Sequence, residues 1–325
     1  MNTRRDFIKT TLALGATATL GLPALNKLLA ADTADATPAN TATPAPTPTS
    51  ASAAKPDLVA VRDGTRAAML DRAIDTLGGM SAFVKKGQKV VIKPNMSWDS
   101  PPELCANTHP DIVAGLVKLC LAAGAAEVSV FDHTIQPWEA CYKDTGIAPA
   151  AKAAGARVLP ANAESYYREV KVPGGVELKT VKIHTAILDS DVFINAPVLK
   201  HHGGAVMTAC MKNLMGIVWD RNFWHGNNLN QCIVDILRAK KPDLNILDAY
   251  SPIARNGPQG NSTADLLPNV KTLLASTDIV AIDAAGARTL GHNPADIGYI
   301  RLAAKAGFGR MDLEKLNIAR IKLDA

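Results

Sequence analysis

From Asp57 onward, short β-branched runs alternate with longer stretches whose apolar positions recur every three to four residues. Leu58–Val61 reads as a strand, and Arg66–Leu77 as a helix stopped by Gly78-Gly79. Lys89–Lys93 is the next strand. Pro110–Ala123 follows as a helix, with Thr108 or His109 as its cap and Gly124 as its end. Val128–Phe131, Arg157–Leu159 and Leu178–Ile183 continue the strand series, and Val192–Asn195, Leu244–Leu247 and Val270–Leu274 supply it in the second half. The remaining helical patterns are Ala205–Val218, Leu229–Ala239, Ile279–Leu290 and Asp296–Ala306. This alternation predicts an α/β protein whose mostly parallel sheet is flanked by helices on both faces. Residues 56–325 have the length of one large domain or two intimate lobes.

The first 55 residues follow another pattern. Arg4-Arg5-Asp6-Phe7-Ile8-Lys9 matches a twin-arginine (Tat) export signal, and the weakly apolar, small-residue stretch Thr11–Leu22 suits a signal core. A membrane span needs about 20 strongly apolar residues, which this stretch lacks. Residues 1–31 are therefore expected to be the signal peptide, cleaved after Ala31 or Ala36 or retained as an inner-membrane anchor. Residues 32–55 are nearly all Ala, Thr, Pro, Ser, Asn and Asp, a composition that reads as a disordered linker. The expected destination is the periplasm, with the Tat translocase as partner during export. That route carries folded chains, which allows a cofactor to be acquired first.

In open parallel sheets, ligands gather beyond the carboxyl ends of the strands. Here those ends carry Lys93-Pro94-Asn95, Asp132-His133, Asn195, Lys200-His201-His202 and Asp248. The densest run is Lys200-His201-His202-Gly203-Gly204, followed by Lys212-Asn213. Paired glycines entering a helix would bring backbone N–H groups to an anion, with Lys200 and Lys212 adding charge. Lys93, Asn95, Gly203, Gly204, Lys212, Asn213 and His225 are thus candidate ligand-binding residues, with His225 in an aromatic loop that would be a lid or a packed surface loop. His202, Lys200 and Asp248 are candidate catalytic residues: His202 exchanges a proton near neutral pH and Asp248 orients it or a metal. Asp283 reads as a charge on a helix dipole rather than a site residue.

Charge narrows the partners. The chain has 35 basic and 30 acidic residues, and Arg4, Arg5, Lys9 and Lys27 belong to the leader, so the exported part is nearly neutral. No Lys/Arg run suits nucleic acid. The five cysteines are scattered with no C-x-x-C pair, which argues against a disulfide framework and leaves no self-contained iron–sulfur motif. Cys120 reads as core; Cys105 and Cys210 lie nearer the polar segments. The cofactor is left unknown, as is a metal, for which His109, His133 and His184 are further candidate donors.

The segments Val91-Ile92-Lys93-Pro94-Asn95, Asn195-Ala196-Pro197-Val198-Leu199-Lys200-His201-His202, Lys212-Asn213-Leu214-Met215-Gly216, Lys241–Asp248 and Asp278–Asp283 resemble, in order and spacing, the domain of unknown function 362 family over about residues 57–322. The family's Lys-x-His pattern falls on Lys200 and His202. Some members carry an attached ferredoxin-like segment, which this chain lacks, so a redox setting would come through a partner. The histidine before Gly-Gly is also similar to lactate racemase-like enzymes, which pair histidine acid–base chemistry with a nickel-pincer cofactor. Two readings follow: a protein that binds, and acts on, a small anionic molecule through Lys/His chemistry, or a non-catalytic periplasmic module serving a redox partner, with Trp219–Trp224 as its docking surface.

Overall fold

The computed structural model describes residues 55–324. The signal segment and the linker, apart from Lys55, lie outside the described residues. The strands are β1 (Leu58–Arg62), β2 (Lys89–Pro94), β3 (Glu127–Val130), β4 (Arg157–Val158), β5 (Tyr167–Lys171), β6 (Thr180–His184), β7 (Val192–Ala196), β8 (Val198–His202), β9 (Val206–Thr208), β10 (Leu244–Ile253), β11 (Thr272–Ser276) and β12 (Ile318–Lys322). The helices are α1 (Arg66–Thr76), α2 (Pro110–Ala122), α3 (Trp138–Asp144), α4 (Ile147–Ala153), α5 (Thr185–Leu188), α6 (Cys210–Asn213), α7 (Arg221–Gly226), α8 (Leu229–Ala239), α9 (Ile279–Thr289) and α10 (Gly298–Lys305).

Ten strands form one mixed, mostly parallel sheet in the order β12-β1-β11-β10-β7-β2-β3-β4, with β8 paired to β10 and β9 to β8. The run β10-β7-β2-β3-β4 is parallel, while β11 is antiparallel to both β1 and β10. Side chains alternate across the sheet as strand geometry requires. Val59, Val61, Val90, Ile92, Val192 and Ile194 face one core, packed with α1, α2, α3 and α4. Leu58, Ala60, Val91 and Phe193 face the other, with α8, α9 and α10. Helices on both faces around a mostly parallel sheet is the expected architecture. The antiparallel ribbon β5–β6 is a second, two-stranded sheet.

One predicted helix is replaced by several elements. Ala205–Val218 contains strand β9, the single-turn helix α6 and a 3-10 turn at Leu214–Ile217. Nearly every residue from Met207 to Val218 is buried, so a continuous apolar run carries no period to separate strand from helix. Gly203 and Gly204 accordingly do not enter a helix; they turn the β8–β9 hairpin. α6 is held by Asp283 of α9, whose carboxylate accepts from the N–H groups of Cys210 (2.7 Å) and Met211 (3.0 Å). Asp283 thus serves the dipole of a neighbouring helix, while Asp278 caps its own. Burial pushes the Asp283 carboxyl up to about 7.

Replacing Asp283 by Ala orphans two buried N–H donors, each worth roughly 1–3 kcal/mol. Asp283→Ala is expected to lower the unfolding free energy by about 2–5 kcal/mol, measured by urea denaturation.

Candidate functional site

Three parallel strands deliver polar residues to one place. β2 ends in Lys93-Pro94-Asn95, β3 runs on into Asp132, and β8 ends in Lys200-His201-His202. The turn at α6 brings Lys212 and Asn213 over them. Lys93, Lys200, Lys212 and Asn213 are 1%, 1%, 7% and 2% exposed, so three cationic side chains and an amide are withdrawn from water.

Buried ammonium groups need oxygen neighbours. Lys93 Nζ donates to Asn213 Oδ1 (2.7 Å) and lies 2.9 Å from Asp132 Oδ1. The other Asp132 oxygen accepts from Met96 N (2.7 Å) and Ser97 Oγ (3.0 Å). Lys200 Nζ donates to Asn95 Oδ1 (3.2 Å) and to the Ala106 carbonyl. Asn95 Nδ2 donates to Asn213 Oδ1 (3.1 Å), which joins the two lysine sets. Lys212 Nζ contacts the Met215 thioether at 3.2 Å. Arg221, the first residue of α7, donates to the carbonyls of His133 (2.6 Å) and Thr134.

Behind this layer runs a row of amides. Asn213 Nδ2 donates to Asn195 Oδ1 (2.9 Å), Asn195 Nδ2 to Asn245 Oδ1 (3.0 Å), and Asn245 Nδ2 to the Ser276 carbonyl (3.3 Å). All three asparagines are buried. Asn213 Oδ1 accepts from Lys93, and each later Oδ1 accepts from the Nδ2 of the asparagine before it.

The cavity lined by Lys93, Asn95, Lys200, His202, Lys212, Asn213 and Arg221, with Trp98, Ile135 and Pro258 also on its wall, measures about 40 Å³. That is room for roughly three water molecules or one small oxyanion. Burial lowers the Lys93 ammonium to about 8, although Asp132 pulls it back upward. Burial, then the proximity of Arg221 and Lys93, lowers Lys212 to about 7. Burial, then Lys212, lowers Lys200 well below the ordinary lysine range. A cluster of this kind is relieved when an anion enters it.

His202 belongs to the same cavity. Its Nδ1 accepts from Gly204 N (3.1 Å) and Ala205 N (3.2 Å), so the ring proton resides on Nε2. Burial and the neighbouring Lys212 hold the ring far below the usual histidine range, which keeps it neutral. His225 of α7 stacks on it, with ring centroids 6.2 Å apart, and is itself lowered to about 4 by burial.

The structure thus gathers Lys93, Asn95, Lys200, His202, Lys212 and Asn213 around one cavity and sets His225 beside it. Asp248 stands elsewhere: it accepts from His109 N (3.2 Å) and Tyr250 N (3.1 Å) and lies 3.5 Å from Arg66 Nε. Gly203 and Gly204 form an exposed turn; their neighbourhood enters the site through His202. His109 caps α2, His133 stacks on Trp219, and His184 packs on Phe131, so these three do not converge. Among the described residues no three His, Cys, Asp or Glu side chains cluster as metal donors. All five cysteines are free and buried, and burial pushes the Cys105 thiol up to about 11 and Cys210 well above its ordinary value. The Trp219–Trp224 stretch is mostly α7, in which Trp224 is wholly buried and Phe223 is exposed.

Sequence reasoning passed over Asp132 as a site member, Arg221 and Gly216. Asp132 was visible as a strand-end residue; Arg221 lay in a loop read for its aromatics. Gly216 has a steric reason: a Cβ there would sit 1.9 Å from Asp132 Oδ1 and 2.5 Å from Lys93 Nζ.

An α/β fold with a polar cavity at its strand ends, preceded by an export signal, defines the class of protein. Residues 1–21 match the twin-arginine translocation pathway signal sequence, and the chain is exported across a membrane. Residues 90–288 match the family described as Domain of unknown function (DUF362), and the chain belongs to that family. A thylakoid-associated protein of Synechocystis sp. is 28% identical over 252 residues, covering 75% of this chain and 76% of that protein. Two solved structures are similar at low identity. The lactate racemase apoprotein of Thermoanaerobacterium thermosaccharolyticum has a TM-score of 0.45 at 12% identity over 70% of this chain and 56% of its own. A Thermotoga maritima protein from a structural genomics consortium has 0.42 at 13%, over 74% and 58%. The chain spans little more than half the length of these two structures. No helix among the described residues is long and apolar enough to cross a membrane.

Gly216→Ala is expected to destabilise the protein by about 1–3 kcal/mol through this overlap. Gly226→Ala, whose added Cβ meets nothing within 4 Å, should change stability by no more than about 0.5 kcal/mol. Denaturant titration of both variants measures the contrast.

Proposed function

We propose that this exported protein works in the periplasm as a binding site for a small anionic molecule, on which Lys/His chemistry then acts. One observation carries the reading: Lys93, Lys200, Lys212 and Arg221 line a single small cavity, with Asp132 as the carboxylate among them. Cations withdrawn from water at such density lack counter-charge, and an oxyanion supplies it. Asn95 and Asn213 hold the lysine side chains in place through their Oδ1 atoms.

His202 is assigned here as a neutral donor. With Nδ1 engaged by two backbone N–H groups, its Nε2–H is free for an anion oxygen. Gly203 and Gly204 contribute by giving the hairpin turn that supplies one of those donors. Asp248, with Arg66, His109 and Tyr250, supports the strand-end loop and plays its part at a distance from the anion. His225 packs over His202 as part of the cover formed by α7.

The test is calorimetric titration of the purified exported protein with inorganic phosphate, sulfate and acetate. The free pocket loses protons from Lys212 near pH 7 and from Lys93 near pH 8, whereas an anion favours the protonated amines. Binding therefore takes up protons, is strongest below pH 7 and weakens as pH rises. A fall in affinity of about tenfold or more is expected between pH 6.5 and 9. Lys200→Met should abolish the heat of binding. Absence of any anion binding at pH 6.5 would overturn the proposal.

A further inference from the structure

The three pocket lysines are not equivalent. Lys93 is held by Asn213 and Asp132, and Lys200 by Asn95 and the Ala106 carbonyl. Lys212 has no oxygen partner among the described residues; its Nζ rests against the Met215 thioether, a weak acceptor. At 7% exposure it is also the most accessible of the three, against 1% for each of the others. Its backbone is fixed, because α6 is clamped by Asp283 at one end and Asn213 is locked into the amide row at the other.

We propose that Lys212 is a nucleophile that forms an imine with the carbonyl carbon of a small oxo acid, whose carboxylate is held by Lys200, Arg221 and His202. The inference rests on the anion-site reading and adds a substrate class to it. Lys93 and Lys200 each give two of their three donors to protein oxygens, which ties their amines to the protein and leaves one donor for a ligand. Lys212 offers an uncommitted amine facing a cavity sized for a molecule of a few heavy atoms. With the amine lowered to about 7, a large fraction of it is unprotonated at neutral pH and has a lone pair to give.

The step balances without a co-reactant. The Lys212 nitrogen lone pair adds to the carbonyl carbon, the carbon–oxygen bond breaks, and the oxygen departs as water with the two amine hydrogens. No electrons are transferred. An imine next to a held carboxylate is an electron sink for later proton exchange at the adjacent carbon.

The test incubates the full exported protein with glyoxylate or pyruvate and sodium cyanoborohydride, which reduces an imine to a stable secondary amine. Intact-mass analysis and peptide mapping then locate the adduct. A single adduct on Lys212 is expected, formed at least tenfold faster than on exposed lysines. Excess acetate should slow it, and Lys212→Arg should lack it. Should the variant fail to fold, peptide mapping and acetate competition on the natural protein still decide. Calorimetry with pyruvate and acetate separates the two levels. Anion binding without a Lys212 adduct from either oxo acid overturns the imine and leaves the anion site standing. Absence of both overturns both, and adducts spread evenly over exposed lysines overturn the imine.

Discussion

The centre of this protein depends on keeping ammonium groups solvated where water is largely excluded. Taking a charge out of water costs several kcal/mol or more unless other dipoles replace the lost shell. Here the replacements come from the fold. The carboxyl ends of β2, β3 and β8 and the turn at α6 meet because the strands are parallel, and each delivers its polar residues to the same edge. Asn213 sits at the junction, accepting from Lys93 and Asn95 while donating into the sheet. Without that residue the two lysine sets would share no partner.

The geometry around the cations depends equally on what is missing. Gly216 leaves the volume that the Lys93–Asp132 pair occupies. Asp283 reaches from α9 to hold the first turn of α6, which sets where Lys212 and Asn213 fall. Tyr142 from the opposite face accepts from Asp132 N (3.0 Å), and its single hydroxyl hydrogen is shared between the carbonyls of Asp132 (2.9 Å) and Leu159 (3.0 Å), so the segment after β3 is braced from behind. The polar cavity is therefore built from both cores of the molecule.

Most of this architecture was legible in the chain, for identifiable reasons. β-branched and aromatic runs such as Val90–Ile92 and Val192–Ile194 have the length and composition of buried parallel strands, and helices such as Leu229–Ala239 keep a clean amphipathic period. Lys93, Asn95, Lys200 and Lys212-Asn213 stood out because polar residues directly follow buried runs. Ala205–Val218 did not yield, because an element buried on all sides has no solvent face to impose a period. Asp248 lies apart from His202 because β10 runs on past it to Ile253, with a register shift against β8, whereas the apolar run Leu244–Leu247 alone suggests a strand that ends at Asp248. The tautomer of His202 depends on a hairpin turn, which follows from tertiary pairing rather than from the Gly-Gly pair itself.

The row Asn213–Asn195–Asn245 ends at Ser276, whose hydroxyl donates to the Asp57 carbonyl (2.6 Å), just before β1. Each amide has one orientation that satisfies both neighbours, so turning one over would set oxygen against oxygen and nitrogen against nitrogen along the line. The row therefore acts as a zip across β7, β10 and β11: opening at any one link strands a buried donor and a buried acceptor. The row thereby ties the hydrogen bonding of these three strands to the lysine cavity at its far end, which favours their opening together rather than singly.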